Sequence, residues 1–398
     1  MNLSVVHIIT TESGGAGIAC IRLHKALLKA GVNSKVLALH KSDAGVAEVY
    51  YYTDFTKNKF IALGKYIYAY IFENWQGRKI TKLPQGYEKF NFPLSPYRID
   101  KISIVKQADV VNLHWCSYFL DYPSFFRNIK AKIVWTIHDM NPFSGGFHYE
   151  VGFPADSYQK LIKKNEEIKI KSLQNKQLTI VSPSDWLKQK SELSTVFGSF
   201  EHFKIANGVD FNIFRPLNKQ SVREILNIPP DKKVVLFVAD KLVNPRKGMK
   251  ILVEAIEQIS SPDLYFIGIG KNAYIDGAKL PYFSTGILED ELSLAMHYNS
   301  ADIFVIPSVE DNLPNTIIES LACGTPVIGF DVGGIAEMIL EGVNGMVVAE
   351  ISVQNLAQAI AQMADNIPNY DRSKIASDAF LKYNYTTLAT EYVKIYHA

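Results

Sequence analysis

The residues best suited to chemistry lie between Pro307 and Val327, in Pro-Ser-Val-Glu-Asp-Asn-Leu-Pro-Asn-Thr-Ile-Ile-Glu-Ser-Leu-Ala-Cys-Gly-Thr-Pro-Val. Asp311 is followed by seven residues and then by Glu319. Pro314 stands just ahead of an apolar helical pattern, where a missing N–H costs nothing, and Cys323-Gly324 supplies the stop. The pattern predicts a helix over 316–322, with one carboxylate on the loop before it and the other in its first turn. Free N–H groups at such a helix start favour an anion. Two carboxylates that accept hydroxyls beside a diphosphate site suit a nucleotide-sugar.

A second constellation is basic. Ala239-Asp-Lys-Leu-Val-Asn-Pro-Arg-Lys-Gly-Met249 follows a strand pattern and puts Lys241, Arg246 and Lys247 on one loop before a helix over 249–259. Cations there can hold a diphosphate and stabilise the charge that develops as it leaves. A third is glycine-rich. Thr11-Glu-Ser-Gly-Gly-Ala-Gly-Ile-Ala-Cys20 follows the first strand pattern and opens a helix over 18–30. Gly14, Gly15 and Gly17 let the backbone approach a ligand closely. The loop is a poor dinucleotide fingerprint, because Cys20 replaces its third glycine and the next strand ends in Leu39-His40-Lys41, with no acid for a ribose.

The elements that must carry these residues are short apolar runs alternating with helical patterns. Val5–Thr10, Ser34–Ala38, Val110–His114, Ile133–His138 and Leu178–Ser182 read as strands of a first sheet. Lys233–Ala239, Leu264–Gly268, Ile303–Pro307, Val327–Phe330 and Met346–Val348 restart the pattern. Such alternation implies parallel strands with crossover helices, an α/β class. The junction is placed at Ala206–Pro216, which contains an Asn-Gly turn signal and ends in proline. Ligands of such sheets bind at the carboxyl ends of strands. That is where His138-Asp139 falls, as does His114, which reads either as core packing or as lining the same region.

The string from Pro307 resembles the glutamate-x7-glutamate motif of retaining GT-B glycosyltransferases of family 4. The usual form begins with Glu, and this chain has Asp311 there; Glu310 is one residue too early. The resemblance covers nearly the whole chain, most strongly over 234–345 and least over 46–106. It implies two Rossmann-like domains facing a central cleft: an acceptor-binding domain at 1–205, a nucleotide-sugar domain at 206–379, and a C-terminal helix, about 380–398, crossing back to the first. Residue by residue, it implies that Lys247 is the family lysine and that Lys241 or Arg246 is its arginine. Asp311 would hold the donor sugar beside Asn312, Leu313, Pro314 and Asn315, and Glu319 would accept ribose hydroxyls. Gly268-Ile-Gly270 would form a loop near the base. Gly14, Gly15 and Gly17 would lie near the donor phosphates and the acceptor. His138 would contact the donor sugar and stabilise charge at the reacting carbon, with Asp139 and His114 on the acceptor side.

The implied activity is transfer, with retention, from a nucleotide-diphosphate sugar to a glycan, lipid-linked or small-molecule acceptor, in cell-surface polysaccharide or glycoconjugate synthesis. No Asp-x-Asp triplet occurs, so no metal and no cofactor are expected, the cations of Lys247 and its neighbours taking the metal's place. Two other readings stand beside this one. A non-hydrolysing nucleotide-sugar epimerase shares the fold and would turn over donor without acceptor. A non-catalytic sugar-binding protein on a degenerate transferase scaffold would account for Asp311 in place of Glu.

Composition narrows the rest. At 398 residues and 47% hydrophobic, the chain suits two domains with real cores. A formal net charge of +2 points away from nucleic acid. Cys20, Cys116 and Cys323 read as reduced, buried thiols of a cytoplasmic protein. The N-terminus reads as a strand, not a signal peptide, and no apolar run reaches transmembrane length. Phe60–Phe72, with Lys65 and the following Trp75, Arg78, Lys79 and Lys82, offers peripheral contact with the inner face of a membrane. Burial against the first sheet is the preferred reading of that stretch. Lys160–Lys176 reads as a solvated helix face.

Overall fold

A computed structural model of the chain describes residues 3–41, 45–56, 59–83, 86–241, 244–259, 261–271, 282–288 and 290–398. The chain divides into two compact units, one chiefly 1–207 with 385–398 and the other chiefly 208–384.

Among the described residues, the first unit holds seven strands: β1 (Ser4–Ile9), β2 (Asn33–Ala38), β3 (Val49–Tyr51), β4 (Val110–Leu113), β5 (Lys132–Thr136), β6 (Leu178–Ser182) and β7 (Glu201–Lys204). They are ordered β3-β2-β1-β4-β5-β6-β7, every pairing parallel. Its helices are α1 (Gly14–Lys29), α2 (Lys59–Gly77), α3 (Ser103–Lys106), α4 (Tyr122–Asn128), α5 (Ala155–Leu173), α6 (Asp185–Glu192) and the chain-terminal Tyr385–His397. Successive strand residues point to opposite faces, and β1 shows the consequence. Val6 and Ile8 join a core with Trp135, Phe119 and Phe125. Val5 packs on the other face with Leu23 and Leu27 of α1 and with Tyr392 and Tyr396 of the terminal helix. That helix is fixed by hydrogen bonds: Asn112 Nδ2 donates to Tyr396 Oη at 2.7 Å, and Thr136 and Tyr392 hydroxyls meet at 3.2 Å. A sheet buried on both faces explains why its strands read as unbroken apolar runs.

The second unit holds β8 (Lys233–Lys241), β9 (Leu264–Lys271), β10 (Tyr282–Gly286), β11 (Ile303–Ile306), β12 (Val327–Phe330) and β13 (Gly345–Val348), ordered β10-β9-β8-β11-β12-β13 and parallel throughout. Its helices are α7 (Lys219–Ile225), α8 (Met249–Gln258), α9 (Glu291–Ser300), α10 (Asn315–Ala322), α11 (Val353–Asp365) and α12 (Arg372–Tyr383); the terminal helix is then α13. Counted within each unit, the strand order is 3-2-1-4-5-6, extended by a seventh edge strand in the first unit, so both sheets are Rossmann-like as expected. The order reverses between the first and fourth strands of each, and the loops leaving those strands are where such sheets receive ligands.

The structure corrects several expectations. Gly268 and Gly270 lie within β9 rather than on a loop after it. Gly14, Gly15 and Gly17 belong to the start of α1, which begins four residues earlier than the pattern suggested. Glu319 is the fifth residue of α10, in its second turn. The run Lys160–Lys176 is not wholly solvated, since Lys169 is buried. Above all, α2 is not buried against the sheet: Phe60, Tyr66 and Ile71 are exposed. No helix among the described residues is long and apolar enough to cross a membrane.

Candidate functional site

In the second unit the two loops at the switch point carry opposite charges and are joined. The loop after β8 is built by Asn244, whose side chain accepts from Arg246 N at 3.0 Å and starts a single 3-10 turn, Pro245–Lys247. Gly248 closes it at φ +68°, a left-handed conformation, and a Cβ there would stand 1.7 Å from the Pro307 carbonyl oxygen. Only glycine lets this loop press against the one after β11. Val309 N donates to Arg246 O at 2.8 Å, and Arg246 Nη1 donates to Glu310 O at 2.5 Å.

The result is a compact charged cluster. Lys247 Nζ donates to Asp311 Oδ2 at 2.6 Å, Arg246 Nη1 stands 3.4 Å from the same oxygen, and Asn312 N donates to Asp311 Oδ1 at 3.0 Å. Asp311 is buried. Burial alone would raise its pKa, but the charges of Lys247 and Arg246 outweigh that and hold it at about 2. Gly334 N caps the Asp311 carbonyl at 3.0 Å. Asn315 opens α10 just after Pro314, leaving the helix start beside these groups. Glu319, buried in the next turn, accepts from Tyr298 Oη at 3.2 Å. Asn312, Leu313, Pro314 and Asn315 are buried in the same loop and helix start. The backbone of Lys241 ends β8, and its side chain lies outside the described residues.

In the first unit the loops at the ends of β4 and β5 line a small pocket that includes His114, Trp115, Ser117, His138, Asp139 and Asn141. A line of imidazoles leads into it: His7 Nδ1 meets His114 Nε2 at 2.9 Å, and His114 Nδ1 meets His138 Nε2 at 3.1 Å. Burial holds His138 down at about 4 against the opposing charge of Asp139, and pushes His7 and His114 well below the usual histidine range. All three are neutral imidazoles near pH 7. Asp139 accepts from Asn141 N at 2.9 Å, Trp115 Nε1 at 2.9 Å and His148 Nδ1 at 2.6 Å. Burial works against ionisation, yet the His148 charge and these donors keep its pKa below the ordinary carboxylate value. Three of about four lone-pair positions are thus taken, leaving one for a ligand.

Several residues here carried no sequence signal of their own. Lys169, on α5, donates to Asn141 O at 2.5 Å and Ser144 O at 2.7 Å, while Asn165, one turn earlier, donates to Gly145 O at 2.7 Å. Together they staple the loop that follows His138-Asp139. Ser117 Oγ and both carboxylate oxygens of Glu12 are buried with no hydrogen-bond partner among the described residues. Glu12 sits in the glycine loop immediately before α1, and Gly17 packs so near it that a Cβ would stand 2.3 Å from the Glu12 carbonyl carbon. Among the described residues one trio, His7, Cys20 and His114, brings candidate metal-binding atoms within 4.8 Å of one another. All three are buried, and a hydrogen bond already joins the two histidines. The three cysteines are free and buried.

Residues 232–366, which contain the charged cluster, match the family model described as "Glycosyl transferases group 1". The chain resembles group 1 glycosyltransferases. Among curated relatives, a D-inositol 3-phosphate glycosyltransferase 2 from Catenulispora acidiphila is 31% identical over 177 residues, covering 40% of this chain and 41% of that protein. A D-inositol 3-phosphate glycosyltransferase from Mycobacterium marinum is 30% identical over 164 residues, covering 38% and 35%. The chain thus spans about two-fifths of the length of the curated relatives it matches. Solved structures match along the whole chain. Sucrose-phosphate synthase from Thermosynechococcus elongatus gives a TM-score of 0.69 at 18% identity, covering 99% of this chain and 98% of that one. The Anabaena protein HepE in complex with UDP gives 0.69 at 15%, covering 99% of each. The fold is GT-B.

Proposed function

We propose that the protein transfers a sugar, with retention of configuration, from a nucleotide-diphosphate sugar to a hydroxylated acceptor. The observation that carries this reading is the cluster at the switch point of the second unit, where Lys247, Arg246 and Asp311 stand beside the start of α10. Asp311 keeps two cations in place on the empty protein. An incoming diphosphate competes for them, and as the bond from the sugar carbon to the diphosphate oxygen breaks, Lys247 and Arg246 take up the charge that a metal ion carries elsewhere. Asp311, freed from the cations, accepts hydroxyls of the sugar, and Glu319 those of the ribose. The acceptor oxygen bonds to the sugar carbon and its proton passes to the leaving diphosphate.

The acceptor side of the reading rests on the pocket of the first unit. Asp139 offers a spare lone pair and Ser117 an unpaired hydroxyl beside an indole, a set suited to a polyhydroxylated ligand, while the neutral imidazole of His138 keeps the role of contacting the donor sugar and steadying charge at the reacting carbon. Glu12, an unpartnered carboxylate in the glycine loop, adds a second acceptor of hydroxyl protons. Synthesis of a cell-surface glycan or glycoconjugate in the cytoplasm is the setting this implies. A uridine donor is the first to try, because HepE is held with UDP and with UDP-glucose. An inositol phosphate is the first small acceptor to try, because the curated relatives bear that name.

The test is a panel of UDP-, GDP- and ADP-sugars with excess EDTA, followed by thermal shift and donor breakdown. Stabilisation by one nucleotide family, with slow donor breakdown that becomes faster transfer on adding acceptor, supports a metal-independent transferase. Isomerised donor without acceptor would replace the reading with an epimerase. Silence with every donor would replace it with a non-catalytic binder.

A further inference from the structure

Helix α2 has its amphipathic character turned inside out. The side it turns inward carries Ala69, Phe72, Glu73 and Gln76, and Gln76 is tied to the first unit by donating to Leu94 O at 3.0 Å. These positions recur at the three- and four-residue spacing of one helical face. Most of the remaining surface is apolar and open, interrupted by Lys65 and Asn74: Phe60 is 85% exposed and Tyr66 69%, and Leu63, Ile67, Tyr70, Ile71 and Trp75 are exposed around them. A helix of a water-soluble protein normally buries such a stripe. Among the described residues, no other segment gathers so many exposed large hydrophobic side chains.

The composition of this surface says what covers it. Between Lys59 and Lys82 the sequence holds five cations, Lys59, Lys65, Arg78, Lys79 and Lys82, against a single acid, Glu73. That acid belongs to the inward face and is half-buried there. Arg78, Lys79 and Lys82 are exposed just past the helix end, and Lys79 Nζ stands 3.5 Å from the centre of the Trp75 ring. Tyrosine and tryptophan with basic residues at one edge are the side chains that settle at the boundary between lipid headgroups and acyl chains. The charge would oppose docking of a second copy through the same face, since each copy brings four net positive charges. The helix is too polar on its inner side to span a bilayer, so it would lie along one.

We propose that α2 is a docking element for an anionic lipid surface, lying in the headgroup plane with Phe60, Leu63, Ile67 and Ile71 inserted and Lys79 and its neighbours on the phosphates. It needs no donor or acceptor and stands or falls apart from the transferase reading. The test is co-sedimentation of the full chain with phosphatidylcholine vesicles, with and without phosphatidylglycerol, over a range of salt. A Leu63→Gln/Ile67→Gln/Ile71→Gln variant and a Lys79→Glu variant run alongside, with thermal unfolding as the check on folding. The expected result is binding to phosphatidylglycerol vesicles that weakens with salt, falls at least about tenfold in the triple variant and falls also in Lys79→Glu, with unfolding temperatures unchanged. Absence of wild-type binding to anionic vesicles would overturn the proposal. So would a dimer, seen by sedimentation equilibrium, that the triple substitution dissolves, because the face would then belong to a second copy.

Discussion

At the residue scale, the account rests on what burial does to ionisable groups. His7, His114 and His138 are held neutral, His138 at about 4 and the others well below 6.5. Between the folded and ordinary values the unfolded chain binds more protons than the folded one. The stability these groups allow is therefore full above about pH 6.5 and is lost as pH falls towards 4. His138 alone should account for about 2 kcal/mol of that loss, after allowing for its partial exposure. The unfolding temperature should drop steadily from pH 7.5 to 5, and less so in His138→Gln; a flat profile over that window would contradict the account. Asp311, at about 2, titrates below this window and contributes nothing to it. The sequence made Asp311, Glu319, Lys247 and His138 legible because motif spacing and strand ends mark them. It could not make Glu12, Ser117 or Lys169 legible: their importance lies in burial without a partner, or in a partner far along the chain, and no local pattern encodes either.

At the element scale, short backbone devices hold the reactive groups. The turn Pro245–Lys247 and Gly248 bring the basic loop onto the acidic one. Gly248→Ala would drive a methyl into the Pro307 carbonyl at a left-handed backbone position. It should destabilise the protein by at least about 3 kcal/mol, read in urea unfolding; a loss under 1 kcal/mol would show that the two loops are not locked. Lys169 should matter through the loop it staples. Its pKa is driven down to about 7, chiefly by burial, with Glu166 and Asp139 opposing. Lys169→Met leaves two carbonyls without their donor and should cost about 2 kcal/mol, with acceptor binding weakened more than donor binding when the two are titrated separately. The strands and the α/β class were legible because parallel strands buried on both faces are runs of Val, Ile and Leu. Boundaries were less so. The glycine loop reads as a turn from its residues alone, yet α1 begins at Gly14 because three small residues tolerate a helix start against Glu12. The apolar stripe of α2 reads as core from sequence, since periodicity tells which residues share a face but not whether anything lies opposite.

At the scale of the whole molecule, both units share the strand order 3-2-1-4-5-6, with a seventh edge strand in the first, and each carries its candidate site at the carboxyl ends of central strands. The first unit is completed only by α13, whose Tyr392 and Tyr396 hydroxyls bond to Thr136 and Asn112 on the central strands. A chain ending at 384 would leave that face of the sheet covered by α1 alone and expose Val110 and Val134 of β4 and β5. It should lose cooperative unfolding of the first unit and aggregate, while Tyr396→Phe should cost only about 1 kcal/mol; a soluble, cooperative truncation would show that α13 is dispensable. The central claim concerns the second unit, and calorimetric titration of UDP in EDTA into wild type and Lys247→Ala tests it most directly. The account predicts measurable binding without metal that weakens about a hundredfold in Lys247→Ala, the order expected for loss of a charge-assisted phosphate contact. Equal affinity in the two proteins would contradict it, because the cluster that Lys247 forms with Asp311 would then not be where the diphosphate goes.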